Sequence, residues 1–372
     1  MKIRLFITVI SLLCSLTVYA QDEEKMKSLC DKEQFQEVIN IYASDTKDYS
    51  ARSLYYIGLS YYMLEDDTNC IKYIDLSISK SSNDAAPYFI KASTLNYMGN
   101  FEEAVGYFKK AIELDPEKSK NYSGLGDSYY FLGKSEKALE SYKKSTMQKE
   151  PESRPFYMIA QIYYNGREYE KALEAYNFAK PYTKGSDYYQ NTLFNIGLLE
   201  VQVNSNYEKA ENIYLELLNE YPNDYHTYAK LIQAYFHQEK YEKAKPYREK
   251  LYEFHSKGLL NDSDLRDMFC FDQFIWNDKR IMVFERYEDE NKGKIYRKHI
   301  FYVTDTTDEN SDIEYTIQTE FSPISVELGG KKYILCASWE NNVRYNSGVF
   351  FNDDFNYKDM KKEVLKILEK YK

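Results

Sequence analysis

The chain has 372 residues, with 59 acidic against 49 basic side chains and a formal net charge of −10. An acidic surface repels nucleic acid backbones and anionic lipid headgroups, so the composition argues against nucleic acid as a partner. The five cysteines are scattered singly, without the paired spacing of a zinc site or a disulfide framework. Export of the chain would permit one bridge, between Cys270 and Cys336. The 40 tyrosines are an excess that any proposed architecture has to explain.

The first twenty residues, MKIRLFITVISLLCSLTVYA, predict a secretory signal peptide. Lys2 and Arg4 precede an apolar run from Leu5 to about Val18, and small residues precede a cleavage point after Ala20. The run is short for a membrane span, which needs roughly 20 residues, and a retained anchor is the alternative. We therefore expect export to the periplasm or the cell surface, and no integral membrane segment in the mature chain. The acidic QDEE that follows is similar to the start of exported proteins of Gram-negative bacteria.

Small residues then recur every 34 positions, which indicates a repeat architecture. One series is Gly58, Ala92, Gly126 and Ala160, a second is Cys70, Ala104, Ala138 and Ala172, and a third, bulky series is Ile74, Phe108, Tyr142 and Tyr176. Each unit contains two helical patterns separated by a tight turn. Small residues let two antiparallel helices cross closely, with a large ring in the groove beside them. Because a lone hairpin cannot bury its apolar faces, we expect the hairpins to stack.

These positions closely resemble the tetratricopeptide repeat, which has Gly or Ala at position 8, Tyr at 11, Ala at 20 and Phe or Tyr at 24. The unit 119–152 fits almost throughout, whereas the last unit departs from the pattern at Ile232 and Arg248. The resemblance implies a mainly helical solenoid of about seven hairpins over residues 21–258. It also assigns many of the tyrosines to packing. The units are about 21–50, 51–84, 85–118, 119–152, 153–189, 190–224 and 225–258.

The resemblance places positions 2, 5, 9, 12 and 13 of each unit on a concave inner face that binds partners. The residues we predict there are Tyr55, Tyr62, Phe89, Tyr97, Asp127, Tyr130, Tyr157, Gln161, Tyr164, Phe194 and Phe236. An aromatic groove with a few amide and carboxylate groups suits an extended peptide or a helix. The alternative is that some of these rings fill space between repeats. Position 5 has no Lys and position 9 has no Asn, so the groove lacks the clamp by which some family members hold an acidic C-terminus.

Beyond Leu260 the 34-residue spacing stops and a different domain is predicted. Strand-like runs are bounded by turn signals, and residues from Ile313 to Phe321 alternate between apolar and polar, as in a half-buried antiparallel strand. A last apolar helical pattern begins at about Asn356. We expect a small α+β domain over residues 259–372, with an antiparallel sheet and a C-terminal helix.

This tail contains no recognisable catalytic motif, metal-ligand spacing or nucleotide loop. We interpret Glu285, Asp289 and Glu314 as exposed charges, and His299 as a structural strand histidine. The sequence favours an exported, non-enzymatic scaffold that binds a protein or peptide and needs no cofactor or metal. The alternative is an enzyme or glycan-binding protein whose activity resides in the tail, with Glu285 or His299 as candidates and the repeats recruiting the substrate.

Overall fold

The computed structural model describes residues 21–44, 46–287, 298–305, 315–328, 331–340 and 343–352, and positions 361, 362, 365, 366 and 369. In this part of the chain, fourteen helices precede six strands. The residues separate into two compact units, Met1–Thr192 and Leu193–Lys372, called here the first and the second unit. The predicted fold class, a mainly helical repeat array followed by an antiparallel sheet, is confirmed.

The helices follow one another as seven pairs, and the first and second helix of each pair are called A and B. The A helices are α1 (21–31), α3 (Ala51–Met63), α5 (Ala85–Tyr97), α7 (Ser119–Phe131), α9 (Ser153–Asn165), α11 (Tyr189–Asn204) and α13 (Tyr225–His237). The B helices are α2 (Phe35–Tyr42), α4 (Asp67–Lys80), α6 (Phe101–Leu114), α8 (Ser135–Thr146), α10 (Tyr169–Thr183), α12 (Tyr207–Glu220) and α14 (Tyr241–Ser256).

The small residues of the 34-residue spacing lie where the two helices of a pair approach closely. A Cβ atom added to Gly126 would lie 2.6 Å from the ring of Tyr142, and one added to Gly58 would lie 2.7 Å from the side chain of Ile74. Both distances are shorter than packed atoms tolerate, so an alanine at either position would force the facing side chain to move. Ala138, from the second series, is completely buried. The predicted close crossing, with a bulky side chain beside the small residue, is confirmed.

The core of the first unit is divided into several clusters between neighbouring hairpins. One cluster joins α5 to α9 and contains Ala92, Leu95, Ala104, Phe108, Leu125, Tyr129, Ala138, Tyr142, Met158 and Ile162. A second cluster, at the N-terminal end, includes Met26, Val38, Leu54 and Ile57. The tyrosines at positions 11 and 24 therefore pack in the core here, as the repeat predicts.

The six strands form one antiparallel sheet in which sequence neighbours pair, in the order β1 to β6. Asn277 and Asp278 join β1 to β2 with φ angles of 46° and 59°, the left-handed values of a two-residue hairpin turn. The strands are β1 (Met268–Trp276), β2 (Lys279–Arg286), β3 (Lys298–Asp305), β4 (Tyr315–Leu328), β5 (Lys331–Glu340) and β6 (Val343–Asn352).

In the second unit, the last helices and the sheet share one hydrophobic core. Phe254 of α14 and Leu231 of α13 belong to the same cluster as Phe271 of β1, Val283 of β2 and Phe301 of β3. The helical positions 361, 362, 365 and 366 bring Leu365 against this cluster. The first three strands therefore bury apolar side chains against repeat helices.

Glu285 corrects one expectation from the sequence. Its side chain is completely buried, although we expected an exposed charge. Its carboxylate accepts hydrogen bonds from the Arg248 guanidinium and, at 2.7 Å, from the Tyr252 hydroxyl. A buried carboxylate is tolerated only when it is paired in this way. The contact links α14 to β2.

Several other expectations concern residues that the structure does not describe. The predicted signal peptide, Asp289 and Glu314 lie outside the described residues, as do the side chains of His299 and Cys336. Cys270 is a free thiol, so it does not form the bridge that export would permit. Among the described helices, none combines the length and the apolar character that crossing a bilayer requires.

Candidate peptide-binding face

The predicted site residues of α3, α5, α7 and α9 are mostly neither buried in the core nor fully exposed. We define the A-helix face by the members of this set at positions 5, 9 and 12 of the units in the first unit. They are Tyr55, Tyr62, Phe89, Asp127, Tyr130, Tyr157, Gln161 and Tyr164, and each is partly exposed. The face therefore offers ring surface and polar groups together.

On α3 and α5 the A-helix face is aromatic. Tyr55 and Tyr62 lie two turns apart on α3, and both pack with Phe89 of α5 against a small core cluster. Burial raises the pKa of Tyr55 to about 12, with a further contribution from the charge of Asp84. Burial also raises the pKa of Tyr62, whose hydroxyl is hydrogen-bonded to Ser93. Both hydroxyls therefore stay protonated at neutral pH and can donate hydrogen bonds.

On α7 and α9 the face is organised by one glutamine. The Oε1 atom of Gln161 accepts hydrogen bonds from the hydroxyls of Tyr157, at 2.9 Å, and Tyr176, at 3.0 Å. Its Nε2 atom donates to Oδ1 of Asn165 at 2.8 Å, and Nδ2 of Asn165 donates to the hydroxyl of Tyr130 at 3.1 Å. Because each side chain fixes the next, the rings are held in place before any partner arrives.

Beside this network, Arg154 and Asp127 form an ion pair. The Nε atom of Arg154 donates to both carboxylate oxygens of Asp127, at 3.0 and 3.1 Å, and Nη1 donates to the hydroxyl of Tyr188 at 2.9 Å. Tyr142 donates a further hydrogen bond to Asp127. Burial disfavours the charge of Arg154, but the Asp127 carboxylate outweighs that effect and raises the pKa of the guanidinium. Arg154 and Asp127 thus present a neutral pair.

Three predicted residues stand apart from this face. Tyr97, the last residue of α5, is 71% exposed. Phe194 and Phe236 lie in the second unit, where Phe194 is partly exposed with its ring centroid 6.4 Å from that of Tyr214. Phe236 is only 4% exposed, and its ring lies 4.9 Å from that of Phe271 in β1. Phe236 is therefore inaccessible to a partner and does not belong to the face.

Sequence reasoning missed Arg154, Asn165 and Tyr188. Arg154 occupies position 2 and Asn165 position 13 of the unit 153–189, and the repeat assigns both positions to the inner face. Reading these two positions would have found both residues. Tyr188 lies at the end of the longer connection before α11, where the repeat pattern gives no signal.

Among the described residues outside this face, we consider metal binding and the catalytic candidates of the tail. No three His, Cys, Asp or Glu side chains in the described ranges are grouped to hold a metal ion. Glu285, a candidate for catalysis in the tail, is held by Arg248 and Tyr252 away from solvent. His299 is its register partner in β3.

Comparisons with known proteins identify the repeat itself. A sequence model described as tetratricopeptide repeat matches residues 85–118 and 119–150, and a second model of that description matches 191–224. The comparison with curated proteins found no match to the chain.

Several solved structures resemble the chain. One is YrrB, described as a tetratricopeptide repeat protein with an unusual peptide-binding site, at 20% identity and a TM-score of 0.42, over 50% of this chain and 94% of YrrB. PilF of Pseudomonas aeruginosa is 18% identical with a TM-score of 0.46, over 55% of this chain and 93% of PilF. A tetratricopeptide repeat protein from Parabacteroides merdae is 18% identical with a TM-score of 0.42, over 55% of this chain and 79% of its own.

Proposed function

We propose that this tetratricopeptide repeat protein is a scaffold that binds a protein or peptide partner on the A-helix face of its first unit. The observation that carries the proposal is the network around Gln161, which holds Tyr130 and Tyr157 partly exposed on adjacent helices. Tyrosine offers a large contact area and a polar tip at a low cost in conformational entropy. Side chains that are fixed before binding lose little further freedom on binding.

The charge of the face also constrains the partner. Arg154, the cation beside the described rings, is paired with Asp127, which weakens its attraction for an acidic tail. Hydroxyl and amide groups dominate instead, and these recognise the neutral carbonyl and N–H groups of a peptide. We therefore expect recognition through aromatic contact and hydrogen bonding, with little dependence on salt.

The experiment is a selection of binding peptides from a random library on the chain 21–372. The face variant combines Tyr55→Ala, Tyr130→Ala and Tyr164→Ala. The matched control combines three exposed apolar residues at B helices or their ends, Leu76→Ala, Met147→Ala and Phe178→Ala. We expect the selected peptides to bind the face variant about tenfold more weakly or worse, and to bind the control unchanged. Equal affinity for the wild type and the face variant would refute the proposal, as would a selection that yields no binder.

We further propose that the protein is exported, with cleavage after Ala20, and acts in the periplasm or at the cell surface. The support is the pattern of the first twenty residues. Expression of the full chain with fractionation, followed by N-terminal sequencing of the recovered protein, tests this. A mature chain that begins at Gln21 in the exported fraction is the expected result. An unprocessed chain in the cytoplasm would refute it.

We also propose that the chain is not an enzyme. The support is the burial of Glu285 and its engagement by Arg248 and Tyr252, which leaves it a structural role. Screening the chain 21–372 for hydrolysis of glycans and peptides tests the proposal. Turnover that is lost in His299→Ala, with folding intact, would refute it.

A further inference from the structure

In the second unit, a strand of the chain covers the helix surface that corresponds to the A-helix face. Nε2 of Gln233, at position 9 of its unit, donates to the backbone carbonyl of Cys270 in β1 at 2.9 Å. The ring of Phe236, at position 12, meets the ring of Phe271 edge-on at 4.9 Å. An extended segment therefore already occupies positions 9 and 12 of α13.

The next residue of the strand makes a third contact. Nε2 of His237, at position 13, lies 3.2 Å from Oδ1 of Asp272. The pairing of β1 with β2 has a bulge between Cys270 and Asp272, and a bulge re-aims side chains that would otherwise alternate. Phe271 and Asp272 consequently both contact α13. The carbonyl of the first of three consecutive strand residues thus meets an amide of α13. The ring of the second residue meets a ring, and the carboxylate of the third meets an imidazole.

Among the A helices of the first unit from α3 onward, only α9 offers the same three groups. Its position 9 is Gln161, its position 12 is Tyr164 and its position 13 is Asn165. These are an amide identical to that of α13, an aromatic ring, and a hydrogen-bond donor in place of the imidazole. The other three helices lack an amide at position 9, where they have Leu59, Ser93 and Asp127.

The three groups of α9 are accessible. Gln161 and Tyr164 are partly exposed and Asn165 is exposed. The amide nitrogen of Gln161 donates to Asn165, and that of Asn165 donates to Tyr130. An amide nitrogen has two hydrogens, so each of them has a second hydrogen to donate.

We propose, on the basis of the function proposed above, that α9 binds an extended peptide in which an aromatic residue is followed by Asp or Asn. The carbonyl before the aromatic residue accepts from Gln161, the aromatic ring packs on Tyr164, and the following side chain accepts from Asn165. The internal strand Met268–Trp276 is the template for this partner.

The experiment uses that strand as the probe. A fluorescein-labelled peptide of sequence MFSFDQFIW, with Ser in place of Cys270 and lysines at both ends for solubility, is titrated against the chain 21–372 by anisotropy. We expect Tyr164→Ala to weaken binding about tenfold and Asn165→Ala about fivefold. Gln161→Leu should weaken it by a similar factor, but removes an acceptor used by Tyr157 and Tyr176 and needs a check of folding. The matched control Gln148→Leu, on a partly exposed glutamine after α8, should leave the affinity unchanged.

Changes in the peptide test the register of binding. Replacing the second Phe or the Asp of the probe by Ala should weaken binding to the wild type and should have little further effect on Tyr164→Ala or Asn165→Ala, respectively. A probe that exchanges into the second unit would be insensitive to the α9 variants, and that result would overturn the proposal. Failure of the probe while library peptides still bind the A-helix face would also overturn it and leave the proposed function intact. Failure of both would refute the proposed function.

Discussion

The two units bury their apolar surface in different ways. The described core of the first unit contains several clusters, each shared by neighbouring hairpins, whereas in the second unit a single described cluster extends over α13, α14 and the first three strands. In a repeat array each hairpin contacts only its neighbours, so terminal hairpins need a cap. In the second unit the sheet acts as that cap.

Two residues at the same repeat position illustrate the difference. Tyr130 and Phe236 both occupy position 12, yet Tyr130 is partly exposed and hydrogen-bonded to Asn165, while Phe236 is buried against Phe271. The repeat position determines which way a side chain points from its helix. The surroundings that this side chain meets, solvent or another element, are determined by the rest of the fold. The comparison predicts local responses to mutation in the first unit and broad ones in the second.

The largest expected effect is the loss of the buried pair in the second unit. Arg248→Met removes the guanidinium that donates to the buried carboxylate of Glu285, which should lower the free energy of unfolding by about 3–5 kcal/mol. Both tryptophans, Trp276 and Trp339, lie in the second unit, so their fluorescence in urea reports that unit. Circular dichroism reports mainly the helices.

The control for this prediction is Asp267→Asn, which removes an exposed ion pair with Arg266 and should leave the fluorescence midpoint unchanged. A fluorescence midpoint that does not move in Arg248→Met would show that the pair does not stabilise the shared core. Equal shifts by both methods would show that the two units unfold together, and the comparison would fail.

Arg248 also illustrates what the sequence could and could not predict. The hairpins and their close crossings followed from periodicity, because each repeat solves the same packing problem with the same small and large residues. Arg248 breaks that pattern at position 24, where a ring is usual, and its partner Glu285 lies 37 residues further on in a strand. The departure was visible in the sequence, but the pairing depends on where the sheet lies. The burial of Phe236 was unpredictable for the same reason.

A glycine in the first unit gives the next largest effect. Gly126→Ala places a methyl group against the ring of Tyr142, and overpacking of this kind typically costs about 1–3 kcal/mol. The matched control is Gly106→Ala in α6, where nothing lies within 4 Å of the added carbon and the helix should gain about 0.5–1 kcal/mol. Circular dichroism in urea measures both variants. If Gly126→Ala also lowered the fluorescence midpoint of the second unit, its effect would not be local.

The pH dependence of the second unit should come in part from His237. Burial lowers the pKa of His237 below its ordinary value; Asp272 opposes this shift and Lys361 adds to it. The ring also stacks on Tyr207. The unfolded state therefore takes up a proton at a higher pH than the folded state. The contribution of the neutral His237 ring to stability is fully present above about pH 6.5 and is lost as the pH decreases through the folded pKa. The unfolding equilibrium constant should change by less than tenfold per pH unit.

Fluorescence midpoints in urea at about pH 7 and pH 5.5 measure this loss. His237→Gln should reduce the difference between the two midpoints, while His226→Gln, at an exposed histidine, should preserve it. An unchanged difference in His237→Gln would assign the pH dependence to other groups.

The smallest effect should come from the turns between paired helices. Gly99, Gly133 and Arg167 occupy the same position of successive units, with φ angles of 81°, 69° and 58°. Arg167 is exposed, and a left-handed conformation costs a residue with a side chain about 1–2 kcal/mol. Glycine loses more backbone entropy on folding, which offsets part of the gain, so Arg167→Gly should stabilise the first unit by less than about 1 kcal/mol. Gly133→Ala makes the opposite kind of change, from glycine to a residue with a side chain, and should destabilise the first unit to a similar extent. Because both changes lie at the surface of single hairpins, the fluorescence midpoint of the second unit should stay constant. The urea midpoint measured by circular dichroism should move in opposite directions in the two variants. Movement of that midpoint in the same direction would exclude backbone strain as the cause.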